Sequence, residues 1–128
     1  ASVQHFALHD KGNMVVLGSV AGDRGRMSNY IYGTCKAAVE VYTEGLQHRF
    51  GKNKDINILL VKPGFVDTRM TANITKKGFL WAKSDKIADD VVCAIKRKKR
   101  VIYTPWFWFW IMLIIRNLPA VIFEKTRL

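Results

Sequence analysis

Cysteine and proline are scarce in this chain, with two and three among 128 residues. Cys35 and Cys93 are too few to staple a small disulfide scaffold and lack the paired spacing of a zinc site. So little proline excludes a collagen-like or proline-rich disordered segment. Long apolar runs are missing as well. The longest, the ten residues from Trp106 to Ile115, gives about 15 Å of helix against a hydrocarbon core of about 30 Å and cannot span a bilayer. Acidic residues are few, 10 against 21 basic ones, for a net charge of +11. There is no initiator Met and no charged-then-apolar opening, so the chain reads as a fragment that starts inside a helix. Its cysteine usage suits a reducing, cytoplasmic compartment.

What is present is ordinary for one globular domain: 49% apolar and 24% charged residues. The basic excess is local, +3 up to Gly64 and +8 beyond it. It peaks at Lys96-Arg97-Lys98-Lys99-Arg100, directly before the most aromatic stretch. Such a run suits a membrane surface, a phosphate or a nucleic acid. The aromatics form one apolar block instead of interleaving with the charges, which argues against nucleic acid.

Periodicity orders the chain into alternating elements. Val3, Phe6 and Ala7 predict the end of a helix over 1–11, stopped at Gly12. Asn13 to Ser19 is a short β-branched run without polar alternation, as expected of a strand buried on both faces of a parallel sheet. A helix follows from Ser28 to Phe50, with Ala37, Val41 and Leu46 on its apolar face beside Ala38 and Val39. Ile56 to Lys62 is a second buried strand, ended by Pro63-Gly64. Strand, helix and strand in that order predict parallel neighbours joined by a right-handed crossover, hence an α/β fold. Residues 67–83 show no sustained period and read as a loop or irregular helix able to act as a lid. Ser84 is expected to cap a helix over 85–98. Val101 to Thr104 would be a strand, and Pro105 would open a last helix running through Ile115 and limited by Pro119. Three tryptophans at alternate positions, 106, 108 and 110, cannot share one helix face, so more than one face should be covered.

Ligands of open α/β sheets bind beyond the carboxyl ends of the strands. Ser19 ends the first strand and Pro63-Gly64 the second. On the intervening helix Tyr32 and Lys36 lie one turn apart on one face, whereas Tyr30 points elsewhere. A phenol with a pKa of about 10 becomes a proton shuttle near pH 7 only with roughly 4 kcal/mol of preference for phenolate. An ammonium about 4 Å away supplies a similar amount at an effective dielectric of about 20. Ser19 would hydrogen-bond a substrate oxygen while Tyr32 protonates it, the acid half of carbonyl reduction, with hydride from a nicotinamide.

At these residues the chain resembles the short-chain dehydrogenase/reductase family, whose signature is Tyr-x-x-x-Lys with a catalytic Ser thirteen positions earlier. Tyr32-Gly33-Thr34-Cys35-Lys36 and Ser19 fit that pattern. The family's Pro-Gly-x-Val-x-Thr stretch appears as Pro63-Gly64-Phe65-Val66-Asp67-Thr68. The resemblance implies Tyr32 as acid/base, Lys36 as the group that lowers its pKa and holds the nicotinamide ribose, Ser19 as carbonyl orienter, and Pro63, Gly64, Val66 and Thr68 as cofactor contacts. It implies NAD or NADP as cofactor, with the choice not readable. Loss of the rest of the sheet would leave the Asn13 to Ser19 strand with an unpaired edge and apolar helix faces uncovered, so a homo-oligomer, at least a dimer, is expected. The fold that the resemblance implies is the C-terminal part of a Rossmann-like doubly wound parallel sheet. Residues 1–104 would be the C-terminal half of the NAD(P)-binding domain, and 105–128 its apolar, aromatic helical tail. The N-terminal nucleotide-binding half, with its Gly-rich turn, is absent from these residues, so the chain alone is expected to be inactive.

The tail, from Tyr103-Thr104-Pro105-Trp106 to Ile122-Phe123, is similar to that of bacterial decaprenylphosphoryl-2-keto-erythropentose reductase-like enzymes. That likeness implies a lipid-linked keto sugar as substrate, an FAD-dependent oxidase as partner and a place on the inner face of the membrane. The rival reading is a non-catalytic, basic, membrane-docking module. Cys35 and Cys93 are expected to be buried as small apolar residues. His5, His9 and His48 share no ligand spacing, and no metal is expected.

Overall fold

The strand from Ile56 to Pro63 carries leucine, isoleucine and valine without polar alternation, and its two faces are both covered. In the computed structural model, which describes residues 2–67 and 78–126, the elements are α1 (Ser2–His9), β1 (Gly12–Leu17), a 3₁₀ turn (Val20–Gly22), α2 (Tyr30–Phe50), β2 (Ile56–Pro63), β3 (Phe65–Asp67), β4 (Trp81–Lys83), α3 (Ser84–Lys96), β5 (Val101–Thr104), α4 (Trp108–Asn117) and α5 (Ala120–Phe123). The main sheet has the order β1-β2-β5, all parallel. Ile56 and Ile58 pack with Phe6 and Leu46 on one face of β2. Leu59 and Val61 pack with Ala94 on the other.

Parallel register fixes where a site can lie. Leu17 pairs with Val61 and Pro63 with Thr104, so β1, β2 and β5 end at the same edge of the sheet. The loops that follow these ends, with Ser19, Gly64 and Pro105, are therefore neighbours.

Several details depart from the sequence reading. β1 is not buried on both faces: Met14 packs against the Phe6 cluster, while Val15 and Leu17 are exposed because nothing described covers that side. The inward face of α2 is mostly small or polar, formed by Gly33, Glu40, Thr43, Leu46 and Gln47, and Val41 points to solvent. The polar members are matched. The amide of Gln47 donates to the carbonyls of Ile58 and Arg100 at 2.9 and 2.7 Å, joining the helix to β2 and to the turn just before β5.

The stretch 67–83 is not all loop. Phe65 to Asp67 and Trp81 to Lys83 pair in parallel as a small second sheet, and a lid over 68–77 lies outside the described residues. Ser84 is the first helical residue, not a cap. Pro105 stands three residues before the last long helix, its carbonyl accepting from the Trp108 amide at 3.1 Å. Pro119 ends that helix and precedes α5.

The sheet geometry separates core from surface sharply. Leu59→Ala is expected to lower unfolding free energy by about 2–5 kcal/mol, and Val15→Ala on the open face by no more than about 0.5 kcal/mol. Urea denaturation of the two variants beside the parent chain measures both; equal losses would contradict the assignment of β2 as the central strand.

Candidate active site

Gly18 continues β1 into the site, its amide donating to the Val61 carbonyl at 2.8 Å. A side chain there would press on Leu60 and on that carbonyl. Ser19 follows with extended backbone, and its Oγ accepts from the Ala21 amide at 3.1 Å, capping the 3₁₀ turn. Ser19 is buried, and its hydroxyl keeps its own proton to donate. The first turn of α2 lies against this loop. A Cβ on Gly33 would come within 2.9 Å of the Ala21 carbonyl oxygen, so glycine permits the approach.

Tyr32 and Lys36 do share a face of α2. The Lys36 Nζ lies 5.7 Å from the Tyr32 ring centroid and donates to the Leu17 carbonyl at 2.8 Å. The lysine thus reaches the end of β1, two residues before Ser19. Tyr32 is about half exposed and lines an open cavity of about 540 Å³ with Ser28, Asn29, Tyr30, Ile31 and Cys35. Neither Ser19 nor Lys36 lines that cavity. Ser19, Tyr32 and Lys36 therefore stand on adjoining segments at one sheet edge, with no direct hydrogen bond among them.

At the end of β2 the Gly64 amide donates to the Thr104 carbonyl at 3.1 Å. The Trp108 indole covers Gly64 so closely that any Cβ would overlap it. Phe65 stacks on Trp81 at 5.3 Å and meets Trp108 edge-on at 5.4 Å, forming an aromatic wall beside the Pro63-Gly64 turn. Val66 is half-buried in β3. Thr68 lies outside the described residues. Cys35 and Cys93 are both exposed, not buried as expected, because each lies on the outward side of its helix.

Sequence reasoning missed a buried ion cluster next to these groups. Lys62 pairs with Asp23, and with Glu40 at 2.8 Å. The Tyr103 hydroxyl donates to the other Asp23 oxygen at 3.0 Å. One oxygen of Glu40 is buried without a partner. Burial pushes the Glu40 carboxyl above its ordinary range, and the neighbouring Asp23 adds to this, more than offsetting the Lys62 contact. Lys62 is held above the usual lysine value: desolvation opposes the charge, but hydrogen bonds and attraction from Asp23 and Glu40 together outweigh it. Two signals pointed here: a lysine inside an otherwise uncharged strand, and a glutamate one turn beyond Lys36.

Residues 1–78 match the family model for short chain dehydrogenase. Over 115 residues the chain is 33% identical to an uncharacterised oxidoreductase of Mycobacterium tuberculosis, covering 90% of this chain and 45% of that protein. Among solved structures it is similar to a short-chain dehydrogenase from Sphingobium yanoikuyae in complex with NADPH, with TM-score 0.71, 22% identity, and coverage of 91% and 50% of the two chains. It is also similar to the bulky-bulky ketone specific alcohol dehydrogenase from Comamonas testosteroni, with TM-score 0.69, 25% identity, and coverage of 97% and 47%. The chain spans about half the length of the curated relatives it matches.

The raised Glu40 pKa has a definite sign in stability. Its contribution is fully present below the ordinary carboxyl value of 4.5 and is lost as pH climbs through the higher folded value. The stability of the parent chain relative to Glu40→Gln should therefore decline as pH rises above 4.5 and then level. Urea unfolding of both proteins across the acid-to-neutral range measures the difference; a relative gain with rising pH would contradict this placement of Glu40.

Proposed function

We propose that this chain, which belongs to the short-chain dehydrogenase family, carries the proton-transfer half of an NAD(P)H-dependent oxidoreductase that reduces a ketone to an alcohol. The observation that carries the reading is the placement of Lys36, which lies beside the Tyr32 ring and is tied to the β1 end that delivers Ser19. A nicotinamide, when bound, supplies the hydride. The strand ends that meet at one edge support this reading, with the nicotinamide next to the Pro63-Gly64 turn on the side that Trp108 leaves open. Pro63, Gly64, Val66 and Thr68 are the proposed cofactor contacts.

In this reading the Ser19 hydroxyl donates a hydrogen bond to the substrate carbonyl oxygen, and the Tyr32 phenol gives its proton to that oxygen. Lys36 holds positive charge beside the phenolate left behind, which lowers the cost of the transfer. The same groups run in reverse when an alcohol is oxidised. These residues contain no Gly-rich turn at a helix N-terminus, the usual anchor of a dinucleotide diphosphate, so by themselves they bind the cofactor weakly and turn over little.

The finer proposal concerns the tail. Phe109, Trp110, Leu113 and Ile114 leave the outward face of α4 apolar and exposed, with Trp106 before it and Val121 and Ile122 after it. Lys99 borders the same aromatic ledge. No helix of the described residues is long and apolar enough to cross a membrane. A tryptophan-rich face beside exposed cations suits an anionic lipid surface. The proposal places the protein peripherally on the cytoplasmic side, with a lipid-linked keto sugar as substrate and an FAD-dependent oxidase as its supplier; the exposed aromatic face supports only the membrane part. The exposed Val41 and Tyr42 on α2 support self-association into a homo-oligomer.

Two measurements test these readings. In the protein expressed from the complete reading frame, Tyr32→Phe should lower ketone-dependent NADPH oxidation by about 10²–10⁴-fold; unchanged turnover would favour the non-catalytic docking module. Sedimentation with phosphatidylglycerol vesicles should retain the protein. Exchanging Lys96 to Arg100 for glutamine should release it, since each cation contributes up to ~1 kcal/mol at an anionic surface. Equal recovery with neutral and anionic vesicles would refute the electrostatic part.

A further inference from the structure

The ion cluster around Lys62 joins the three segments to which the reaction has been assigned. Asp23 immediately follows the 3₁₀ turn that Ser19 caps, and both its oxygens are taken, one by Lys62 and one by Tyr103. Glu40 continues the face of α2 that bears Tyr32 and Lys36, each a turn apart. Its side chain lies beneath the two glycines that bracket Ser19. A Cβ on Gly18 would touch its Cγ at 3.8 Å, and one on Gly22 would collide with its unpartnered oxygen. Lys62 itself is the residue before Pro63-Gly64. The three side chains are 7%, 1% and 12% exposed for Lys62, Asp23 and Glu40, so water does not loosen the contacts.

Such a cluster is poorly explained as a source of stability. Two carboxylates and one ammonium removed from water cost more than apolar packing of the same volume, and one acceptor is left unsatisfied. What the cluster does supply is fixed geometry: one ammonium, with donors aimed at carboxylates from two other elements, admits little relative sliding of the three. We propose that Lys62, together with Asp23 and Glu40, is a positioning group that holds the Ser19 loop, the Tyr32–Lys36 face of α2 and the Pro63-Gly64 turn in register. The proposal rests on the catalytic reading of Ser19, Tyr32 and Lys36, but the locking of the loop can be observed without it.

The test uses the protein expressed from its complete reading frame. Lys62→Met alone would strand two buried carboxylates, so the informative variant is Asp23→Asn, Glu40→Gln and Lys62→Met combined, which removes all three charges and keeps the volumes. Tyr103→Phe, which deletes only the hydroxyl donated to Asp23, is the milder companion should the triple variant not fold. The amides of Ala21, Gly22 and Asp23 are hydrogen-bonded to Ser19 and Val20, so their hydrogen exchange reports the loop directly. Exchange there should accelerate about tenfold in the triple variant and measurably in Tyr103→Phe, with the amides of Leu59 and Leu60 unaffected. With NADPH and phenanthrenequinone as probes, kcat should fall about tenfold or more while the KM for NADPH moves less than about threefold. Wild-type exchange at all three amides in the folded variants overturns the proposal whatever Tyr32 does. Faster exchange with wild-type kcat overturns the positioning role. If Tyr32→Phe leaves turnover intact, the catalytic reading fails separately, and the exchange result still decides whether Lys62 locks the loop.

Discussion

A lysine inside a buried strand is the constraint on which the site's arrangement turns. β2 is covered on both faces by apolar side chains, and Lys62 is its only charge. An ammonium there demands anions, and they come from the loop after β1 and from α2. The parallel register brings these segments near; the ion cluster fixes how near. Hydrophobic burial alone leaves such freedom, because apolar contacts are non-directional and slide at little cost.

The tail shows the opposite physics. Trp108 and Met112 are buried against Val20, so one face of α4 is part of the core that supports the Ser19 loop. The reverse face is as apolar as the first and is exposed. A surface helix ordinarily turns charge outward; one that is apolar all round lacks a covering layer. Within this chain only the Trp108 face is covered, and Trp106 and Trp110 are 71% and 57% exposed, so any cover on the second face has to come from outside the described residues.

Legibility followed the range of the interactions. The β1–α2–β2 crossover, β5 and the Tyr32–Lys36 pairing were readable because strand burial and helical spacing are local properties of the chain. The parallel pairing of Phe65–Asp67 with Trp81–Lys83 was not, because three-residue strands carry no period and their partners are set by distant contacts. The polar inward face of α2 was misread for the same reason. Glu40 and Gln47 look like solvent-facing residues until Lys62 and the carbonyls of Ile58 and Arg100 are placed opposite them. Among the candidate site residues, Ser19, Tyr32, Lys36, Pro63 and Gly64 fall at one sheet edge, as topology requires. The sequence offered no sign that Trp108, more than forty positions away, would seal Gly64.

Two consecutive residues give the Ser19 loop its double attachment. Asp23 points inward to Lys62 and Tyr103. Arg24 points the other way: its guanidinium donates to the carbonyl of Ile115 and, at 2.7 Å, to that of Leu118, at the C-terminal end of α4, while it lies 3.8 Å over the Phe123 ring. A cation at a helix C-terminus is favoured by the unpaired carbonyls there, and the aromatic face adds to the attraction. The same short loop is therefore fastened on one side to the strand end beside the proposed cofactor turn and on the other to the helix whose outer face is apolar. The helix also touches the strand ends themselves, with Trp108 against Gly64 and in one cluster with Tyr103, so a shift of α4 acts on the loop and on the sheet together. In this fold Ser19 and the aromatic tail are thus held by one loop, although more than eighty residues separate them in sequence.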